Sequence, residues 1–246
     1  MSELLLSTNG LTKQYGHHKA VDKVNLHIKK GAIYGFIGRN GAGKTTCLKM
    51  ISGLARPTAG EIEMFGCKGK ELERIRSRVG CLIEAPGLYG NMNAYTNLKI
   101  KCELFGIRKK GYIEDILETV GLEGVGKKKT KHFSLGMKQR LGIGLALVGE
   151  PDLLVLDEPI NGLDPQGIAE VRDTIQRLRD ERNMTILISS HILEELSKIA
   201  TDYGIIHNGS LLQELTSEEL MKRCSERIEI ESVSYTHLRA HETGRN

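Results

Sequence analysis

Tryptophan is absent from this chain, and aromatic residues make up only 4% of it. So few rings leave no run of stacking platforms for nucleobases. A net charge of +4, from 35 basic and 31 acidic side chains, is too mild to argue for nucleic acid. The five cysteines, Cys47, Cys67, Cys81, Cys102 and Cys224, form no CxxC and no Cys/His pair. That excludes a disulfide framework and a zinc site, and points to free thiols in a reducing compartment. No apolar run reaches the length that spans a bilayer. The opening MSELLLSTNG has no positively charged leader and too short an apolar run for a signal peptide. The expectation is a cytoplasmic chain, anchored by another protein if it works at a membrane. What is present, 39% hydrophobic and 27% charged residues over 246 positions, suits one large globular domain or two small ones.

Short apolar runs read as strands at Val24–Ile28, Ala32–Ile37, Glu61–Phe65, Val79–Ile83, Leu153–Leu156, Thr185–Ser189 and Tyr203–His207. Helices are expected at Lys44–Ser52, Tyr112–Val120, Met137–Val148, Ile168–Leu178 and Ile192–Ile199. In the second of these, Ile113, Ile116, Leu117 and Val120 share one face. Alternating strands and helices argue α/β with a mainly parallel sheet. A helical stretch at about 86–150 interrupts that alternation and reads as a subdomain. The segment from about Ser232, SVSYTHLRAHETGRN, is polar and aperiodic and looks like translated adapter read-through. It is set aside from functional reasoning, the alternative being an ordinary disordered tail.

The most informative stretch is GRNGAGKTT, Gly38–Thr46, directly after an apolar strand and before a helix. Gly38, Arg39, Asn40, Gly41, Ala42, Gly43, Lys44 and Thr45 fit G-x-x-x-x-G-K-[ST]. Glycines let successive backbone N–H groups point inward at anionic oxygens, and a helix N-terminus adds partial positive charge. In this reading Lys44 reaches the β- and γ-phosphates, Thr45 ligates Mg²⁺ and Thr46 contacts a phosphate oxygen. The plain alternative is a glycine-rich turn with a solvated lysine.

LLVLDE, Leu153–Glu158, is an apolar strand ending in two acids. The carboxyl ends of strands are where open α/β sheets bind ligands. There Asp157 would hold Mg²⁺ and Glu158 would polarise an attacking water. The plain alternative is a strand followed by an acidic turn before proline.

With these motifs the chain resembles the ATP-binding subunits of ABC transporters, over roughly residues 4–225. The phosphate loop and Asp157-Glu158 match the family's two Walker motifs. Tyr15, in KQYG, matches the aromatic that stacks on adenine. Glu84, after VGCLI, falls where a glutamine usually senses the γ-phosphate and couples to the membrane subunit; as a glutamate it can coordinate metal or water. Ser134-Leu135-Gly136-Met137-Lys138-Gln139-Arg140 matches the signature segment. Asn161-Gly162-Leu163-Asp164 matches the loop that crosses the dimer interface. His191, in SSH, matches the switch histidine that contacts the γ-phosphate.

The resemblance implies a P-loop NTPase fold with a mainly parallel core sheet, an antiparallel β subdomain and an α-helical subdomain. It implies ATP and Mg²⁺ as cofactors, with Glu158, His191 and Glu84 catalytic. ATP would sit between two ATPase subunits, in a homodimer, with Ser134, Gly136, Met137 and Asp164 reaching the nucleotide in trans. A transmembrane permease subunit would hold the assembly on the inner face of the membrane, docked on the region after Glu84. The Lys127–Lys131 run would face that partner or lipid, or is simply a solvated face. Leu135 in place of glycine, Glu84 in place of glutamine and the segment EAPGLYGNMNAYTNL are similar to the branch that exports bacitracin and lantibiotics or protects against them. Arg39 stands where proline is usual. That branch carries a further C-terminal extension, whose start would be residues 226–231. Two other readings stay open: an ABC ATPase acting on ribosomes or DNA, and an inactive truncated fragment.

Overall fold

The computed structural model describes residues 3–223. Strands β1 (Leu4–Tyr15), β2 (His18–Val24), β3 (His27–Lys29) and β4 (Ile33–Ile37) lead into helix α1 (Lys44–Ile51). Strands β5 (Ala59–Met64), β6 (Cys67–Lys68) and β7 (Val79–Leu82) follow, then helices α2 (Ala94–Leu104), α3 (Tyr112–Thr119) and α4 (Leu135–Leu147). The remainder alternates: β8 (Leu153–Asp157), α5 (Pro165–Arg182), β9 (Thr185–Ser190), α6 (Leu193–Leu196), β10 (Asp202–His207) and β11 (Ser210–Thr216).

The strands sort into two sheets. The larger runs β11-β10-β4-β9-β8-β7. Its pairs are parallel except β10 with β11. The smaller runs β2-β1-β5-β6 with β3 also on β1, and is antiparallel throughout. This is the expected fold class.

Strand β8 shows how sequence becomes architecture. Its five residues, Leu-Leu-Val-Leu-Asp, are all buried, as a parallel strand covered on both faces must be. Side chains alternate between faces, so Leu153 and Val155 enter one core with Leu48 and Met50 of α1. Leu154 and Leu156 enter a second core with Leu141 and Ile143 of α4 and Ile175 of α5. The antiparallel sheet shares the first core through Leu6, Leu11 and Ile62. Helices α2 and α3 share the second through Leu98 and Ile116. One strand is thus the partition between two cores, and its acidic end emerges where both stop.

Helix ends follow local chemistry. Asn93 caps α2 by accepting from Thr96 N, Ser134 caps α4 by accepting from Met137 N, and Asp164 caps α5 ahead of Pro165. Helix α1 is different, because Gly43 before it offers no side chain to its first amides.

Several expectations shift. The strand expected at Val24–Ile28 is two strands turning a corner, β2 ending at Val24 and β3 starting at His27, with Lys23 at φ +50°. The helix expected at Ile192–Ile199 is a single turn, Leu193–Leu196. Strands β1, β2, β6 and β11 were not expected. The region 86–150 contains α2, α3 and α4, with two short 3₁₀ turns between α3 and α4. Cys224 and the segments at 226–231 and 232–246 lie outside the described residues. Among the described residues no helix is long and apolar enough to cross a membrane.

Candidate nucleotide site

The site forms at the carboxyl ends of β4, β8 and β9, which lie side by side. The loop after β4 enters α1 without a side-chain cap, leaving first-turn amides open toward the loop. Two glycines in it are dictated by space. A Cβ on Gly43, at φ +103°, would meet Ala20 O at 2.4 Å, and one on Gly38 would meet Ile206 O at 2.5 Å. Any side chain at either position would push the loop out of shape. Arg39, Asn40 and Gly41 are exposed along the rim, while Ala42 is buried beneath.

Lys44 is 5% exposed. Its Nζ donates to Gly38 O at 2.6 Å and Arg39 O at 3.2 Å, and lies 3.1 Å from Glu158 Oε1. The lysine therefore folds back across the loop it belongs to, as the anchor of an anion-binding concavity. Thr45, the next residue, donates from Oγ1 to Asp157 Oδ2 at 2.7 Å. The other Asp157 oxygen accepts from Ser189 Oγ at 2.6 Å. Ser189 Oγ in turn accepts from Glu158 N at 2.9 Å. Glu158 Oε2 lies 2.8 Å from His191 Nδ1. A chain of contacts thus runs Thr45–Asp157–Ser189–Glu158, with Lys44 and His191 on the two Glu158 oxygens.

Register explains this convergence. Asp157 of β8 pairs with Ser189 of β9, and Ser190 pairs with Ile37 of β4. The phosphate-loop motif, the acidic pair and His191 therefore leave neighbouring strands at one level. Ser189, buried within the strand, went unnoticed in the sequence, since a serine in ILISS reads as an ordinary strand end.

Glu84 is placed differently. It follows β7, and its carboxylate is ion-paired with Lys49 of α1 and two-thirds exposed. That hydrogen bond holds the Lys49 ammonium above the usual lysine range. Tyr15 ends β1 half-exposed, with Lys13 Nζ 5.0 Å from its ring centroid.

Ser134, Gly136, Met137 and Asp164 form a second, separate group. Ser134 Oγ accepts from Met137 N at 3.2 Å, and Asp164 Oδ1 from Gly167 N at 3.1 Å. The two helix starts abut: a Cβ on Gly136 would lie 3.4 Å from Gly167 Cα. Leu135 stands 47% exposed at the first turn of α4. Among the described residues no hydrogen bond or ion pair joins this group to Gly38–Thr46. One copy of the chain brings Lys44, Thr45, Asp157, Glu158 and His191 together and keeps Ser134–Met137 apart from them.

Comparison with known proteins places these motifs. The profile of the ABC transporter family matches residues 21–161. The chain is 52% identical to the bacitracin transport ATP-binding protein BcrA of Bacillus licheniformis over 220 residues, 89% of this chain and 72% of that one. It is 44% identical to the lantibiotic transport ATP-binding protein SrtF of Streptococcus pyogenes, over 85% of this chain and 90% of the relative. A solved ATP-binding subunit of an ABC transporter superposes with a TM-score of 0.77 at 28% identity, covering 94% of this chain and 99% of that one.

Proposed function

Because the chain belongs to the ABC transporter family and is an ATP-hydrolysing, ATP-binding subunit, we propose that it powers export of a peptide antibiotic of the bacitracin or lantibiotic kind through a separate membrane protein. The observation that carries the mechanism is Glu158, held between Lys44 and His191 at the mouth of the phosphate loop.

In this reading the open amides of α1 and the Gly38–Thr46 backbone receive the phosphates, with Lys44 turning from Glu158 to the transferred group. Tyr15 stacks on adenine. Glu158, freed from Lys44, orients and accepts a proton from the attacking water, and His191 meets the γ-phosphate. Thr45 Oγ1 and Asp157, 2.7 Å apart, are hard oxygen donors of the kind Mg²⁺ takes. No cluster of three metal-binding side chains exists among the described residues. That suits an ion held by one or two protein oxygens and the phosphates. Mg²⁺ there would neutralise charge developing on the phosphoryl oxygens.

Ser134, Gly136, Met137 and Asp164 serve the nucleotide of a second copy, which is why they gather at a distance from their own phosphate loop. The trans site is completed by dimerisation, and hydrolysis releases it. Glu84 acts from β7 as sensor, bridging to the helical region. The domain reading is an ATPase domain over 4–225 whose helical subdomain, about 86–150, docks on the permease. A groove of about 390 Å³ between β7, α2 and α4 supports this. Ile83, Pro86, Tyr89, Leu104 and Phe105 line it, an apolar seat for a segment of the membrane partner. The working location is the inner face of the membrane, through that partner.

The test is resistance. The chain and its permease are expressed in a bacitracin- and lantibiotic-sensitive host. Wild type should raise the inhibitory concentration of one of these peptides, and Lys44→Ala should not. Equal resistance in both would overturn the reading.

A further inference from the structure

The loop before α4 carries Lys127, Lys128, Lys129 and Lys131, all exposed, followed by exposed His132. Among the described residues no carboxylate makes an ion pair with any of the four. The nearest favourable contact is Lys128 Nζ at 5.9 Å from the Phe133 ring centroid, which leaves its charge uncompensated. Elsewhere on the surface lysines such as Lys19, Lys29, Lys49 and Lys68 have acidic partners.

This loop is tied down. Thr130, at its centre, is 1% exposed. Its backbone N–H donates to Met92 O at 2.9 Å and its hydroxyl to Tyr89 O at 3.0 Å. Lys131 N donates to Gly90 O at 2.9 Å, and Lys129 bridges to Asn93. The buried threonine fixes the lysines as a rigid set pointing outward. The stretch that holds them presents Tyr89, Met92 and Tyr95 at 55%, 38% and 40% exposure. Tyr89 also lines the apolar groove between α2 and α4.

We infer that Lys127, Lys128, Lys129 and Lys131 bind the anionic headgroups of a membrane surface, beside the permease-docking groove. The chemistry favours lipid over an acidic protein. The cations are all lysine, compact point charges on flexible stems, and no arginine offers a bidentate fork for a defined carboxylate. Half-exposed tyrosines with flanking lysines are the composition of a membrane interface. An exposed set of like charges suits a diffuse negative surface, where each lysine adds to the attraction. The inference rests on the permease reading only for the direction the loop faces.

The experiment is flotation of the full chain with vesicles of phosphatidylcholine alone or with phosphatidylglycerol. Three variants accompany wild type. One has Lys127, Lys128, Lys129 and Lys131 changed to Gln, one has them changed to Arg, and a control has Lys30, Lys68, Lys70 and Lys222 changed to Gln. Equal ATP binding certifies the fold of each. Wild type, the Arg variant and the control should float with the anionic vesicles, less so at high salt. The loop Gln variant should bind on the order of several hundred-fold more weakly. Equal binding by the loop Gln variant, or equal loss in the control, would overturn the inference. So would loss of the detergent-solubilised permease by the loop variant with no vesicle binding by wild type. That last result would assign the loop to a protein partner and leave the ATPase reading standing.

Discussion

Glu84 and Glu158 stand in equivalent places on neighbouring parallel strands. Leu82 of β7 pairs with Leu156 of β8, and each glutamate lies two residues beyond its leucine. Both occupy the left-handed region, at φ +65° and +48°. A glutamate there costs on the order of 1 kcal/mol or more, and such residues cluster where a chain must aim a side chain. Here both strands turn sharply at their ends, sending one carboxylate to Lys49 and the other to Lys44 and His191. The first prediction follows. Glu158→Gln keeps the side chain's shape and removes its capacity to take a proton. ATP hydrolysis should fall by roughly 10²–10⁴-fold, while ATP binding persists. The variant should accumulate as a dimer with ATP and Mg²⁺ in light scattering. A monomer at saturating ATP would contradict the trans arrangement.

Lys44 makes a different prediction. It is buried, and its three contacts are two loop carbonyls and Glu158. Lys44→Ala removes the cation from the loop, and nucleotide affinity, read by fluorescent ATP analogue titration, should drop at least tenfold. Lys44→Arg should not rescue it, because a guanidinium is too wide for a space closed by Gly38 and Glu158.

The sequence announced the strands that end in function and missed several that only frame it, β1, β2, β6 and β11. β4, β8 and β9 are short and apolar, and β4 and β8 are bounded by glycine, proline or acids, so their buried character showed. β1 alternates buried and exposed positions with interruptions at Asn9-Gly10, where its pairing with β5 shifts register. Such a strand is stabilised by its neighbours, and its own pattern says little. The α5 cap was half legible: Asp164-Pro165 marks a helix start, yet Ile168 looked like the first residue of the apolar stripe. Phosphate-loop spacing survives in one dimension because the motif is contiguous. The Ser189–Asp157 bond does not, because it depends on β8 and β9 lying side by side.

Glu84 tests the cost of its backbone. Its ion pair with Lys49 is on the surface, so Glu84→Gln should change stability by less than about 1 kcal/mol and leave hydrolysis within a few-fold. Glu84→Val places a β-branched residue in the left-handed region, where it is more strained than an unbranched side chain, and should destabilise relative to the Gln variant. Paired urea unfolding curves would show it. Equal stability of the Gln and Val variants would mean the turn relaxes.

Cys47 gives a pH prediction. It sits fully buried in α1, directly behind the phosphate loop, and burial pushes its thiol up to about 12. Its ordinary value is 9.0. Since the folded value is raised, the unfolded chain loses this proton first as pH rises. The contribution is therefore fully present below about pH 9 and is lost as pH climbs toward 12. In native protein at pH 8 Cys47 should resist iodoacetamide, and unfolding in urea should expose it. Labelling at the native rate of a free thiol would show that α1 opens.

Leu135 makes the last prediction, and it concerns the partner rather than the fold. It is the first residue of α4 and 47% exposed. Its Cδ2 lies 3.6 Å from where a Cβ on Gly162 would stand, so it covers the seam between the two helix starts that are proposed to meet a second copy's nucleotide. A glycine there would uncover the Gly136 amide and clear space for a phosphate. The cost is small, because the position is at the helix end and capped by Ser134. Glycine loses about 1 kcal/mol against a good helix former in a helix interior, and less at such an end. Leu135→Gly should therefore lower the ATP concentration that dimerises a Glu158→Gln background, at nearly unchanged thermal stability. Leu135→Phe should raise it. If both variants dimerise at the wild-type concentration, the exposed leucine faces solvent in the assembly and the trans contact is made elsewhere on α4.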